Sequence, residues 1–294
     1  MVDQCYIIIV NYNNYNFTIQ CIDSLYNLNN KSFKIVLIDN NSTDKSSELL
    51  NDKFSSNDNF EIISSISNNG YASGVNQGIN YALNQNNCKY IWILNNDTIV
   101  YPNTLDELIK SDSSTSKKTI WGCKILNSDK TIQSIGCRLN RMFMTTSHNY
   151  KDYKDSKQNY SLSNIDYIHG CSMFFKNDII KINGLFDENY FLFYEDVDYS
   201  ISAKNKNISL DVSQNSVVTH YGSKTIKKNN LVYYSTINRI KFCKKHYPKM
   251  VLFVYLGIFF ELIKCFLLLR FKRIYKILIN LSKLSKLIKY CWCY

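Results

Sequence analysis

Lys34-Ile-Val-Leu-Ile-Asp-Asn-Asn-Ser-Thr-Asp44 decides the fold. Its first half is a continuous aliphatic, β-branched run, as expected of a strand covered on both faces. At Asp39 it turns polar within one residue. The neighbouring segments repeat this plan: Tyr6–Val10 is a strand ended by Asn11-Tyr-Asn-Asn14, and Tyr90–Leu94 a strand ended by Asn95-Asn-Asp97. Phe60–Ile63 reads as a further strand. Asn16–Leu28, Ser42–Leu50 and Tyr71–Leu83 read as the helices between them, with Ser42 or Thr43 placed to cap the second. The alternation predicts an α/β protein whose mainly parallel sheet is flanked by helices. Ligands of such sheets gather beyond the carboxyl ends of the strands. Any one polar cluster is an ordinary turn, but three on one edge point to a site.

Past Asp97 the alternation loosens. Thr119–Leu126 and Thr131–Ile135 read as strands of a hairpin across Asn127-Ser-Asp-Lys130. Asn140–Asn164, polar and rich in Lys and Tyr, reads as a mobile loop near the site. Cys171–Phe175 is apolar, a helix is expected over Glu195–Lys204, and Ile208–Val212 and Ser216–Thr219 read as two short strands ending at His220.

Two stretches carry further chemistry. Gly184-Leu-Phe-Asp-Glu-Asn-Tyr-Phe-Leu-Phe-Tyr-Glu-Asp-Val-Asp198 crowds five carboxylates around an aromatic run. Aromatics favour burial and ionised carboxylates resist it, so the segment reads either as acids at a pocket wall or as a helix start favoured by the helix dipole. Gly70, Gly74 and Gly78 recur four apart, which lines them on one helix face for close packing on the sheet, with room for a nucleotide. This is not the Gly-x-Gly-x-x-Gly fingerprint, so a nicotinamide or flavin enzyme is disfavoured.

Taken together, Val10–Asn13, Val36–Asp44, Asn69–Gly78, Leu94–Thr98, Gly184–Glu188, Phe193–Asp198 and His220 resemble family 2 glycosyltransferases, and within them the rhamnosyltransferase-like group of bacterial surface polysaccharide synthesis. The resemblance covers roughly Tyr6 to Pro248. It implies a GT-A type fold and inverting sugar transfer from a nucleotide-diphosphate donor to a lipid-linked glycan, with rhamnose a candidate sugar. It places Asp39 on the base or ribose, Asn11 and Tyr12 under the same nucleotide, and Asn76 beside it, with Asn41, Gly70 and Asn96 completing the donor set. Asp97 would be the last acid of the family's Asp-x-Asp motif, binding Mg²⁺ or Mn²⁺ together with His220. Asp196 would be the catalytic base, with Glu195 and Asp198 orienting the acceptor or the base. The chemistry is coherent, since inversion needs one carboxylate to take the acceptor proton and a hard cation on the departing diphosphate. Asn95 departs from the motif by replacing its first Asp with a weaker, neutral ligand.

The net charge of +11 belongs to the tail. From Arg239 onward thirteen basic residues face one acid, Glu261, whereas the preceding body is nearly neutral. Val251–Leu269 has about the length of a membrane-spanning helix, roughly 20 residues, interrupted by Glu261 and Lys264, which are spaced to pair on one face. Ile274–Leu287 reads as a basic amphipathic helix on an anionic membrane surface. Its basic residues alternate with an apolar face, which disfavours a nucleic-acid partner. The expected organisation is a catalytic domain over residues 1–228 and a membrane-associating helical region over 229–294. The ten scattered cysteines read as reduced core thiols, and the N-terminus lacks the pattern of a signal peptide. The expected location is therefore cytoplasmic, peripheral on the inner face of the cell membrane, or with one C-terminal helix embedded. Two other readings are a sugar-nucleotidyltransferase, disfavoured because Asn11–Phe17 has no Gly, Lys or Arg, and a non-catalytic nucleotide-binding scaffold.

Overall fold

The computed structural model describes residues 4–156, 160–162, 164–222 and 228–268, together with 275, 277 and 278. The helix expected over Ile274–Leu287 falls almost wholly outside the described residues. The chain divides into two compact units.

The first unit comprises Met1–Arg138, His148–Phe191 and Glu195–Thr225. Strands β1 (Gln4–Asn11), β2 (Phe33–Asp39), β3 (Phe60–Ser64) and β4 (Cys88–Asn95) alternate with helices α1 (Tyr15–Tyr26), α2 (Ser46–Phe54) and α3 (Tyr71–Leu83). There follow β5 (Thr98–Val100), α4 (Thr104–Ser113), β6 (Thr119–Leu126), β7 (Ile132–Ser134) and, after the pair β8 (Cys137–Asn140) and β9 (Thr145–His148) that falls largely in the second unit, β10 (Ser172–Lys176). Helices α5 (Asp178–Asn183) and α6 (Glu195–Asn205) and strand β11 (Ser209–His220) complete the order. The sheet runs β3-β2-β1-β4-β10-β6-β11-β5, with β7 paired to β6. Its first four strands are parallel, and β10 is antiparallel to both β4 and β6.

The continuous apolar runs are explained by burial on both faces. Ile7 and Ile9 point into a core with Ile22 and Leu25 of α1 and Leu105 and Leu108 of α4. Ile8, between them, points into the opposite core with Val75 and Ile79 of α3 and Tyr199 of α6. The glycines of α3 serve this packing. A Cβ on Gly78 would lie 2.4 Å from Ile8 Cγ2, and one on Gly74 2.9 Å from Val10 Cγ1. The space at these two positions is therefore filled by strand side chains, which corrects the expectation that it accommodates a nucleotide.

Other differences are local. Neither Ser42 nor Thr43 caps α2; the helix starts at Ser46, whose amide is held by Asp44, and Lys45 precedes it with φ +64°. The two short strands expected after Ile208 are one strand, β11, with a register shift between Ser213 and Val217. The expected loop over Asn140–Asn164 contains β9, paired with β8. The short elements β5, α4 and α5 were not anticipated. The hairpin of β6 and β7 forms as expected, with Asn127 N donating to Thr131 O at 2.8 Å. The eight cysteines among the described residues are buried and unpaired.

The second unit comprises Leu139–Ser147, Leu192–Tyr194 and Ile226–Tyr294. It holds α7 (Lys228–His246), a 3-10 turn (Pro248–Met250) and α8 (Val251–Leu267). Glu261 of α8 pairs with Arg239 of α7 at 2.6 Å, not with Lys264 as its spacing suggested. Gly257 lets the helices approach, since a Cβ there would lie 3.1 Å from Arg239 Nη2. The outward side of α8 carries Leu252, Leu256, Phe259, Phe260 and Ile263, all exposed.

Candidate active site

Sheet register assembles the site. Asn11 and Asp39 are direct partners at the carboxyl ends of β1 and β2, and Asn95 is paired with Val10 one step away. Asn11 is fully buried and spends its whole amide on protein. It donates to Asp39 Oδ1 (2.8 Å) and Ser42 Oγ (3.1 Å), and it accepts from Thr18 Oγ1 (2.8 Å) and Asn96 Nδ2 (3.3 Å). It holds Asp39 in place at the strand end. Asp39 also accepts from the Ser42 hydroxyl at 2.6 Å and the Ser42 amide at 3.0 Å. Asn13 Oδ1 receives the Thr43 amide at 2.7 Å, so the two polar loops are knitted together. Asn13 and Asn41 adopt φ +51° and +61°, a conformation Asn tolerates. Tyr12 stands 45 % exposed at this edge.

Asn76 is likewise committed. Its amide donates to Phe186 O and Glu188 Oε1, both at 2.9 Å, and accepts from Phe186 N at 2.9 Å. It ties the acidic segment to α3. Gly70, at φ +96°, lies against the Phe191 backbone, where a Cβ would meet Phe191 O at 2.5 Å.

A short antiparallel pair brings Asp97 and His220 together. Thr98, next to Asp97, is the partner of His220 across β5 and β11. The result is Asp97 Oδ1 at 3.1 Å from His220 Nε2, both side chains nearly buried. The tautomer follows from the amides behind the ring. Asn127 Nδ2 donates to Thr131 Oγ1 (2.9 Å), which leaves its Oδ1 to accept from Gln133 Nε2 (3.0 Å). Gln133 Oε1 then faces His220 Nδ1 at 2.7 Å and accepts a hydrogen bond from its N–H. With Nδ1 committed to Gln133, Nε2 is the ring nitrogen that faces the Asp97 carboxylate, across a gap bridged by its own proton or by a cation.

Asn95 completes this spot. Its Oδ1 accepts from the Tyr71 hydroxyl at 2.8 Å, and its Nδ2 lies 3.4 Å from His220 Nε2. Tyr71 also reaches Gly170 O at 3.3 Å. The Asn95 carbonyl thus faces Tyr71, which leaves the Asp97 carboxylate and the His220 imidazole as the pair here whose chemistry suits a divalent cation. Among the described residues no group of three His, Cys, Asp or Glu forms such a site by itself.

The acidic pair lies across Tyr71. Strand β10 runs antiparallel, so the residues before it, His169 and Gly170, arrive at the carboxyl edge of β4. Gly170 N donates to Asp196 Oδ2 at 2.9 Å, and Val197 N donates to Asp196 Oδ1 at 2.8 Å. Glu195 is buried, and its Oε2 has no hydrogen-bond partner. Burial, reinforced by the Asp196 charge, raises the Glu195 pKa well above the usual carboxylate range. Burial also raises Asp196, but its two backbone amides oppose the rise. The two carboxyls are therefore raised as a coupled pair, with backbone amides favouring ionisation on the Asp196 side. Burial raises the Tyr71 hydroxyl too, reinforced by the acidic groups of Glu195, Asp196 and Asp97, so it stays protonated between Asp196 and Asp97. Asp198 is buried and accepts from Tyr190 at 3.2 Å.

Sequence reading did not find Tyr71, Gly170, Gln133 or Asn40, whose amide holds Gly70 O at 3.0 Å. Tyr71 and Asn40 sit inside quoted motifs, but nothing in their spacing reveals which way they point. Gln133 is an ordinary polar residue in a hairpin, and only register shows its partner.

This arrangement, a mainly parallel sheet with polar strand ends and an acid pair at the start of α6 met by the residues preceding an antiparallel strand, defines a GT-A type fold. Residues 6–182 match the model of the family described as glycosyl transferase family 2, and the chain belongs to that family. A curated relative, the low-salt glycan biosynthesis hexosyltransferase Agl10 of Haloferax volcanii, is 28 % identical over 226 residues, covering 73 % of this chain and 66 % of the relative. The chain thus spans just under two thirds of that protein. Among solved structures, GalNAc-T7 with UDP, GalNAc and Mn²⁺ superposes with a TM-score of 0.63 at 13 % identity, over 81 % of this chain and 48 % of that one. The mannosyltransferase PcManGT of Pyrobaculum calidifontis with GDP-Man and Mn²⁺ gives 0.59 at 11 % identity, over 97 % and 76 %. S. aureus TarS 1–349 with UDP-GlcNAc gives 0.58 at 15 % identity, over 81 % and 66 %. At these identities the solved structures speak to the fold.

Proposed function

We propose that the protein is a divalent-metal-dependent, inverting glycosyltransferase that moves a sugar from a nucleoside-diphosphate donor to a lipid-linked glycan acceptor, in the manner of the rhamnosyltransferase-like group. One observation carries this reading: Tyr71 stands between the Asp97–His220 pair and Asp196, tying both to one cleft through Asn95 and Gly170. Asp39, oriented by Asn11 and Ser42, holds the ribose or base, and exposed Tyr12 offers an aromatic face beside it. Asn41, Gly70 and Asn96 shape the same edge.

Asp97 and His220 would hold Mg²⁺ or Mn²⁺, which when bound would neutralise the charge of the diphosphate leaving group. Asp196, whose ionised form the amides of Gly170 and Val197 favour, accepts the proton of the acceptor hydroxyl as that oxygen attacks the anomeric carbon. Glu195, buried beside it and raised well above the usual carboxylate range, resists a second charge in the pair. Asp198, held by Tyr190, anchors the first turn of α6 instead of touching substrate.

The second functional region, residues 229–294, docks on the cytoplasmic face of a membrane. Pro248–Leu267 is long and apolar enough to cross one, and little of it is buried. A thermal-shift panel of nucleotide-sugars with and without Mn²⁺ tests the reading. Stabilisation by one nucleoside-diphosphate sugar, enhanced by Mn²⁺, is expected. Indifference to every nucleotide would return the scaffold reading.

A further inference from the structure

A cavity of about 410 Å³ lies in the first unit, lined by Arg138, His148, Asn149, Tyr150, Lys151, Tyr153 and Ser161. It contains none of the residues assigned above to donor, metal or base. We propose that it is the acceptor subsite, and that it takes a phosphorylated saccharide, with the phosphate on Arg138 and Lys151 and the sugar against Tyr150 and Tyr153. The proposal rests on the glycosyl-transfer reading for its place in the reaction, and on the following geometry for its chemistry.

The cavity is a built one. Its outer wall, residues 149–153, is laced to residues 132–136 by backbone bonds: Ile135 N to Asn149 O (3.2 Å), Asn149 N to Gly136 O (3.0 Å), Ile132 N to Tyr153 O (2.8 Å) and Asp152 N to Ile132 O (2.8 Å). Tyr150 and Asp152 take φ +59° and +66° to make this path, an arrangement that persists only where the surroundings enforce it. The Tyr150 hydroxyl is anchored on Ser161 O at 3.0 Å, and its ring meets Tyr153 edge-on at 6.1 Å.

The charge in the cavity is one-sided. Arg138 and Lys151 are both exposed, and no acidic side chain among the described residues pairs with either. Asp155 is engaged by Lys124 at 2.6 Å and by the Tyr160 hydroxyl at 3.1 Å. The imidazole of His148 adds no compensating negative charge. Two cations on a concave wall, with tyrosine faces beside them, recognise an anion attached to a flat or ring-shaped apolar body. The bidentate fork of Arg suits a phosphate in particular.

The cavity is also next to the chemistry. His148 is in its wall, the His148 ring lies 5.1 Å from His169, and His169 lies 5.6 Å from His220. His169 directly precedes Gly170, whose amide holds the proposed base. One buried imidazole thus separates the cavity from both the metal pair and Asp196. A saccharide whose phosphate is held here extends its far end toward the base.

The experiment uses the full chain and an Arg138→Gln/Lys151→Gln double variant, each saturated with UDP and Mn²⁺ so that the donor site is filled. Calorimetric titration compares glucose 1-phosphate with methyl glucoside, and geranyl phosphate with geraniol. The parent is expected to bind the phosphate-bearing member of a pair at least about tenfold more tightly, and the double variant to lose that preference while keeping its UDP–Mn²⁺ affinity. A preference confined to glucose 1-phosphate identifies a soluble sugar phosphate, and one confined to geranyl phosphate a lipid-linked acceptor. A parent without phosphate preference, or a variant that retains it, overturns the proposal. A parent that binds no UDP with Mn²⁺ overturns the transfer reading instead, and the titration repeated without nucleotide still decides whether the cavity binds phosphate.

Discussion

His220 Nδ1 donates to Gln133 Oε1 at 2.7 Å, and this bond sets what the other face of the ring can do. With Nδ1 committed to Gln133, Nε2 faces the spot it shares with Asp97. Outer partners of this kind typically contribute 10–100-fold to metal affinity. Gln133→Leu is therefore expected to weaken Mn²⁺ binding about 10–100-fold. It should also shift the ¹⁵N resonances of His220 toward a tautomer mixture, whereas Gln133→Glu retains the acceptor and the tautomer. Unaltered His220 resonances in the Leu variant would remove Gln133 from the site.

Asp196→Asn should lower turnover by a factor on the order of 10²–10⁴, the usual contribution of a general base, with nucleotide affinity nearly unchanged. The pH dependence has a defined sign. Burial raises the Asp196 pKa, and the base works only when ionised. Activity should thus fall as pH drops through a midpoint above the usual Asp range. An acid limb at or below that range would assign the proton to another group.

Glu195 gives a stability prediction of opposite character to a paired carboxylate. Its folded pKa lies well above its unfolded value because of burial and the charge on Asp196. The folded state therefore favours the protonated form, and ionisation costs stability as pH rises from the unfolded value toward the folded one. Glu195→Gln removes that cost. Its Tm should exceed the parent's at pH 8 by a few degrees, roughly 2–4 °C per kcal/mol for a domain of this size, and match it near pH 4. Equal melting temperatures at both pH values would show that Glu195 is not desolvated.

The exposed face of α8 predicts membrane attachment. Phe259→Ser/Phe260→Ser removes two of its largest exposed apolar groups, which are 55 % and 59 % accessible. Flotation with anionic vesicles should fall severalfold, since each such side chain contributes about 1.5–3 kcal/mol when buried. Flotation equal to the parent's would place the attachment elsewhere.

The α/β alternation was legible because a strand buried on both faces must be apolar at every position. Ile7, Ile8 and Ile9 satisfy two cores in turn, as do Ile35, Val36 and Leu37 of β2. Three polar strand ends were legible for the same reason, since parallel strands separated by helices must end on one edge. Asp39 and Asp97 could thus be singled out along the chain, whereas Asp196 and His220 were reached through the family resemblance. The partners of Asn11 and Asn76 could not be read there. An amide at a strand end or on a helix reads the same whether it faces a ligand or protein, and these two bond protein partners 28 and 110 residues away.

Sequence by itself therefore determined the layered α/β architecture and the edge on which chemistry-bearing residues gather, because periodicity and burial are local properties of the chain. Only the tertiary structure decided which of those residues meet. Antiparallel β10 delivers Gly170 to Asp196, and the three-residue β5 sets Asp97 beside His220, across more than 120 positions of chain. Such pairings depend on strand register, and a shift of one residue would turn each side chain to the other face of the sheet.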